Sequence, residues 1–364
     1  MSAQTVGKEK EARLNANTYE RTKYLFTGWN TEQDGSGTAY EDGQKIKASG
    51  NITLYAQWEI VSIILDSSMD KWTDGNVYTM NSDVTIENRI DVLGNVTLIL
   101  TDGYKLTASK GISVNEENNL TINANGAGTG ILEATSDGGD AGIGGDVNHN
   151  SGTIIINGGT VNVSSIYFGA GIGGGRNGSG TVTVNGGNVT ATSTEYGAAI
   201  GGGSEGNGTV TINGGNVTAT AGLYGAAIGG GDDGNGTIII NGGTVSATVS
   251  HDEPGSGAGI GCGYCGSGGT VTINGGSVSS TVSKGLGAGI GGCLAGSGVD
   301  VTINGGTVVA TATEDGAVGI GRGKFGADDG NLILGEGIAL EVSSNNSDWS
   351  DYDGTTRQRY MRTK

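Results

Sequence analysis

Very little of this 364-residue sequence is proline, cysteine, aromatic or basic, and each shortage excludes something. There is one proline, Pro254, although 75 residues are glycine. Glycine without proline, and without glycine at every third position, is not collagen. Three cysteines, Cys262, Cys265 and Cys293, are too few and too odd for a disulfide framework. Lysine and arginine number 19 against 37 aspartates and glutamates, a formal net charge of −18. A surface so acidic repels phosphate backbones and anionic lipid, so nucleic acid is not expected as a partner. No apolar run approaches the length of a membrane-crossing helix, so no membrane insertion is expected. Met1-Ser2-Ala3-Gln4 and the residues after them lack the apolar core of a signal peptide. Export to an extracellular or cell-surface location, which the composition suits, therefore implies a signal upstream of this sequence.

What is abundant is Val, Ile and Thr in short alternating runs punctuated by Asn and Gly. Disorder does not produce that pattern. The tripeptide Asn-Gly-Gly begins at Asn157, Asn185, Asn213, Asn241, Asn274 and Asn304, at intervals of 28, 28, 28, 33 and 30 residues. A period of this size marks a repeat architecture. Each unit carries three short extended segments, for example Thr209–Asn213, Asn216–Thr220 and Gly225–Gly229, joined by glycine-rich corners that supply positive φ. Three strands and three corners per unit describe one rung of a right-handed, single-stranded parallel β-helix, an all-β solenoid. Rungs stack at about 4.8 Å, and only stacking buries their apolar sides.

Alternation sorts the faces. Val210, Ile212, Val217, Ala219, Ala226 and Ile228 are expected inside; Thr209, Thr211, Thr218, Thr220 and Ala227 are expected outside. Residues 60–342 are read as the solenoid, with degenerate first rungs at 60–125, and residues 343–364 as a terminal cap or linker tail. The 33-residue interval places an outward loop at 251–256.

Residues 1–59 differ in composition and read as a small β-rich module. The order Arg21-Thr22-x-Tyr24-x-Phe26-x-Gly28-Trp29-Asn30-Thr31, then Asp34-Gly35-Ser36-Gly37-Thr38-x-Tyr40, then Ile52-Thr53-Leu54-Tyr55-Ala56-Gln57-Trp58, resembles the Listeria–Bacteroides repeat, the internalin B-type B repeat. That family opens on a strand that only Leu14–Asn17 matches here, so the module is either truncated or diverged in its first strand. The resemblance implies a secreted bacterial surface protein whose module aromatics are core. The repeats beyond it resemble carbohydrate-binding and adhesin-like β-helices of bacterial surface proteins, a scaffold that carries many functions.

Several features invite chemistry. Gly169–Gly174 and Gly285–Gly292 satisfy G-x-G-x-x-G, but a Thr-Val strand follows where a phosphate-binding helix is needed. The Thr ladders could order water as ice-binding solenoids do. Ile239, Asp300 and Val309 interrupt them, and β propensity alone accounts for Thr on an open face. Position-matching puts Arg176-Asn177, Ser204-Glu205 and Asp232-Asp233 on successive rungs. Asn177, Ser204, Glu205, Asp232 and Asp233 are therefore candidate ligand-binding residues, and Glu205, Asp232 and Asp233 candidate calcium ligands. The plain alternative is a solvated turn in an acidic protein. No aromatic platform is expected beside this corner, which disfavours glycosidase or lyase chemistry. Cys262-x-x-Cys265 with Cys293 one rung on suggests a thiol pair or a disulfide rather than zinc, which needs four ligands. The expected function is non-catalytic binding or adhesion, with a polysaccharide or host glycan as ligand. A structural stalk is the alternative, and a polysaccharide-degrading enzyme the third reading.

Overall fold

The computed structural model describes residue 4 and residues 10–47, 49–255 and 257–364, without the side chains of 251–255. They contain no helix. The chain divides into two compact units, Met1–Ile63 and Ile64–Lys364.

In the first unit, Ala39–Tyr40, Tyr24–Asn30 and Tyr55–Ile60 form an antiparallel sheet, and Glu11–Arg13 pairs with Lys45–Lys47. A register shift between Phe26 and Gly28 kinks the central strand. Gly28 is required there: its φ is +142°, and a Cβ would stand 2.7 Å from the Tyr40 carbonyl oxygen. Phe26 meets Trp29 and Trp58 edge to face, at centroid distances of 5.1 and 5.4 Å. These aromatics pack with one another, but Phe26, Trp29 and Trp58 are half-buried rather than core and Tyr55 is exposed. The strand before them is Glu11–Arg13, just ahead of Leu14–Asn17.

The second unit is a parallel β-solenoid with three walls of 10, 11 and 12 strands. In the regular turns these are the three segments read from the sequence, as in Gly208–Ile212, Asn216–Ala221 and Ile228–Gly229. Neighbouring turns pair in register: Val210 with Ile238, Val217 with Val245, Ile228 with Ile260. In-register pairing stacks like on like. Nine isoleucines, Ile90, Ile112, Ile143, Ile172, Ile200, Ile228, Ile260, Ile290 and Ile320, form one column, and every one of them is fully buried. A second wall contributes Leu98, Ile122, Ile156, Val184, Ile212, Ile240, Ile273 and Ile303 in the same manner. At about 25 cal/mol per Å2 of apolar surface removed from water, such columns are the main favourable contribution to the fold.

The inward set Val210, Ile212, Val217, Ala219, Ala226 and Ile228 is buried as expected. Ala227 is not outside; it is fully buried. Period-2 reasoning fails there because only Ile228–Gly229 is extended, and the residues before it belong to a corner. At the equivalent Gly171 an added Cβ would lie 3.0 Å from the Thr192 carbonyl oxygen, so this position faces the chain's own third wall. A methyl or a hydrogen is what fits. In the long turn the register shifts between Ser250 and Gly255; the loop expected at 251–256 falls on side chains outside the described residues.

After the last regular turn, Tyr360–Thr363 runs antiparallel along Thr307–Ala312, and Leu340–Ser343 pairs in turn with Tyr360–Thr363. Met361 is fully buried there, and its sulfur accepts the Ile320 N–H at 3.3 Å.

Candidate functional site

Two surfaces of the solenoid carry polar side chains in an ordered arrangement. The first is the corner singled out by position-matching. Turn-to-turn backbone bonds confirm the alignment: Asn177 N–H donates to the Ser204 carbonyl at 2.7 Å, Glu205 N–H to the Asp232 carbonyl at 2.6 Å, and Asp233 N–H to the Tyr264 carbonyl at 2.7 Å. Asn177, Glu205 and Asp233 share a left-handed backbone, with φ of 61°, 63° and 58°. That conformation suits Asn and disfavours Glu, because an ordinary Cβ crowds the following carbonyl. Ser204 is buried, Asp232 half-buried, and Asn177, Glu205 and Asp233 are exposed. Asp232 Oδ1 is buried with no hydrogen-bond partner. Burial, then the charges of Asp233 and Glu205, push its carboxyl up to about 6. Even so, no group of three or more His, Cys, Asp or Glu side chains among the described residues is arranged to hold a metal ion.

An aromatic column stands beside this corner, contrary to expectation. Phe168, Tyr196 and Tyr224 stack at centroid distances of 4.9 and 5.0 Å with interplanar angles of 17° and 19°. Tyr264 continues the column at 5.6 Å, tilted by 51°, and the Arg176 guanidinium sits 4.6 Å from the Phe168 ring centroid. Two backbone bonds tie column to corner: Ser204 N–H to the Phe168 carbonyl and Asp232 N–H to the Tyr196 carbonyl, at 2.7 and 2.8 Å. The signal was legible as aromatics at 168, 196 and 224, one repeat apart. The stack covers both faces of Tyr196, so the ring edges, not a flat platform, meet solvent. Aromatic stacking of this kind contributes about 1 kcal/mol per contact to the turn-to-turn interface.

The second surface is made by the Asn-Gly-Gly corners. The second glycine of each takes φ near +85°, as Gly187 and Gly215 show (85° and 84°), and a Cβ on Gly215 would be 2.7 Å from the Gly187 carbonyl oxygen. The asparagines form a continuous amide ladder. Asn157 Nδ2 donates to Asn123 Oδ1, Asn185 to Asn157, Asn213 to Asn185 and Asn241 to Asn213, each at 2.7 Å. Asn274 donates to Asn241 and Asn304 to Asn274, at 2.8 Å. Because glycine replaces side chains on one flank, the corner is concave. A groove of about 730 Å3 runs across successive turns, floored by Gly158, Gly159, Gly187 and Gly215. Asn157, Asn188 and Asn216 line it, and the loop Asn125–Gly128 walls one end. That loop is fixed by Asp102, whose carboxylate accepts the Ala127 and Thr129 N–H groups at 2.5 and 2.7 Å. The spacing that brings Asn188 and Asn216 to one groove is the 28-residue repeat itself.

The three cysteines are free, Cys262 and Cys293 buried and Cys265 exposed.

Two repeat families match parts of the chain. Residues 1–57 match the Listeria-Bacteroides repeat domain. Residues 154–176, 177–204, 210–232, 238–264 and 301–321 each match the beta helix repeat. Together they suggest a bacterial surface protein. Two proteins of Evansella cellulosilytica are similar over short segments. One, provisionally named a Gly-rich membrane protein, is 54% identical over 44 residues, 12% of this chain and 5% of that protein. The other, provisionally named a membrane protein, is 52% identical over 42 residues, 11% of this chain and 6% of that protein. The chain thus spans about a twentieth of the length of the relatives it matches. No solved structure matches. Among the described residues no helix is long and apolar enough to cross a membrane.

Proposed function

We propose that the chain is a non-catalytic binding module of a bacterial surface protein, and that its ligand is a neutral polysaccharide or glycan lying along the Asn-Gly-Gly groove. The observation that carries this reading is the groove's composition and direction. It follows the solenoid axis across consecutive turns, and its polar groups are amides, each able to donate and accept. Sugar hydroxyls need that pairing. A turn rise of about 4.8 Å repeats the amide set at a spacing comparable to the units of an extended sugar chain. The net charge of −18 favours a neutral ligand over an acidic one.

Affinity electrophoresis of the full chain through gels containing neutral polysaccharides tests this. Retardation by at least one of them, lost in Asn188→Leu/Asn216→Leu and kept in Glu205→Gln, is the expected result. Migration unchanged by any polysaccharide would refute groove binding.

The amide ladder supports a second reading, a rigid spacer. Ten strands stacked in the shortest wall span roughly 43 Å, and the ladder ties seven successive corners together over about 29 Å of it.

A further inference from the structure

Cys262 and Cys293 occupy places that are glycine in the regular turns before them. Cys262 aligns with Gly174, Gly202 and Gly230, and Cys293 with Gly175, Gly203, Gly231 and Gly263. In those turns no side chain fits. A Cβ on Gly230 would overlap the Gly234 carbonyl oxygen, and one on Gly231 the Gly203 carbonyl oxygen. The cysteine turn makes room locally. Its corner loop, residues 263–269, is one residue longer than residues 231–236 of the turn before, and Gly268 has open space beside it. Both thiols then enter the interior and are fully buried. Cys262 Sγ lies 3.8 Å from the Gly291 carbonyl oxygen and Cys293 Sγ 3.5 Å from that of Gly266. Gly266 joins the two side chains: a Cβ there would stand 2.7 Å from Cys262 Cβ, and its carbonyl oxygen is the one that Cys293 Sγ meets. The neighbouring Cys262 thiol and burial push the Cys293 thiol up.

The register gives their separation. Gly261 pairs with Gly291, so Cys262 and Cys293 directly follow adjacent strands, one and two residues past the pair, and are offset by one residue. A lateral spacing of about 4.8 Å and a rise of about 3.3 Å put their Cα atoms about 5.8 Å apart, inside the range of about 4.4–6.8 Å that a disulfide spans. Cys265, on the exposed side of the same corner, is not part of the buried pair.

We propose that Cys262 and Cys293 are joined by a disulfide that bolts two consecutive turns of the solenoid together, leaving Cys265 as the free thiol. The bond forms by exchange with a low-molecular-weight organic disulfide before the two turns close. One cysteine thiolate attacks the donor and releases one thiolate. The second cysteine, deprotonated, attacks the mixed disulfide and releases the other. Two protein thiols are oxidised, the donor is reduced to two thiols, and the two protons lost by the cysteines are taken up by the released thiolates. An oxidising, extracytoplasmic setting, as for a surface protein, preserves such a bond.

The full chain is refolded from denaturant in oxidised and reduced glutathione, alkylated in denaturant without reduction, and digested with trypsin. Cleavage after Arg176, Lys284 and Arg322 separates Cys262 and Cys265 from Cys293. The expected product is the peptide 177–284 linked to 285–322, with Cys265 recovered unlinked. The link persists in Cys265→Ser and is absent in Cys262→Ser. Refolded protein, verified by its β circular dichroism, in which all three cysteines take alkyl groups would overturn the proposal. So would a link that Cys265→Ser abolishes, or one joining Cys262 to Cys265.

Discussion

Replacing Ile228 by Asp tests the stacked core at its centre. Ile228 is fully buried between Ile200 and Ile260 in the nine-isoleucine column. Deleting its aliphatic body costs about 2–5 kcal/mol, as any large-to-small core change does. The carboxylate adds a second cost, because its neighbours in the column, Ile200 and Ile260, are hydrocarbon. A fully buried acid has its pKa raised by about 3–5 units, and because it then takes up a proton rather than stay charged, the cost at pH 7 levels off at about 4 kcal/mol. The sum, about 6–9 kcal/mol, rivals the whole stability of an ordinary domain. The two costs separate by pH. A raised carboxyl stabilises the folded state relative to neutral pH once it is protonated, so the second cost shrinks as pH falls toward the unfolded value near 4. Ile228→Ala carries the first cost alone. Urea titrations followed by β circular dichroism should put Ile228→Asp well below Ile228→Ala at pH 7 and close to it at pH 4.5. An Ile228→Asp midpoint equal to that of the unsubstituted chain at pH 7 would refute the inward assignment and the columnar core with it.

Other perturbations follow from the same geometry. Asp232→Asn should stabilise the protein above pH 6 and be neutral below pH 4, because a carboxyl raised to about 6 is a liability only when ionised. The two-unit shift corresponds to about 3 kcal/mol, and half-exposure reduces this to about 1 kcal/mol; thermal melts at pH 4 and 7 read the difference. Asn213→Ala removes one ladder bond on each side, to Asn185 and from Asn241, and should cost about 1 kcal/mol in a denaturant titration. Removing residues 358–364 strips the antiparallel strand from Thr307–Ala312 and should raise light scattering with concentration, since a bare strand edge recruits other chains.

Much of the fold was legible because the repeat is nearly exact. The Asn-Gly-Gly interval sets the turn, and alternation in Thr209–Asn213 and Asn216–Thr220 sorts their faces. Ala227 was misread because alternation holds only where the chain is extended, and its segment is mostly corner. The acidic corner was found by counting from repeat to repeat. Its aromatic neighbours were equally countable at 168, 196 and 224, but Tyr264 continues the stack from the position that Ser204 and Asp232 hold in their turns, which breaks the count. The groove was not legible at all. It arises from what glycine omits, and only stacked corners turn that omission into a concavity.

In-register stacking of near-identical turns has a consequence for folding. A turn that resembles its neighbours so closely pairs almost as well one repeat out of place, so the core alone does not dictate which turn meets which. The irregular features do. Arg89 reaches across to the Asp146 carboxylate at 2.7 Å and to the carbonyl oxygens of Lys110 and Ala141, both at 2.9 Å. The Cys262–Cys293 pair and the 33-residue interval are equally singular. Each is a fiducial mark in an otherwise uniform ladder, and a slipped pairing would leave it unmatched. Uniformity makes the solenoid easy to lengthen by whole repeats; these few exceptions make its assembly unambiguous.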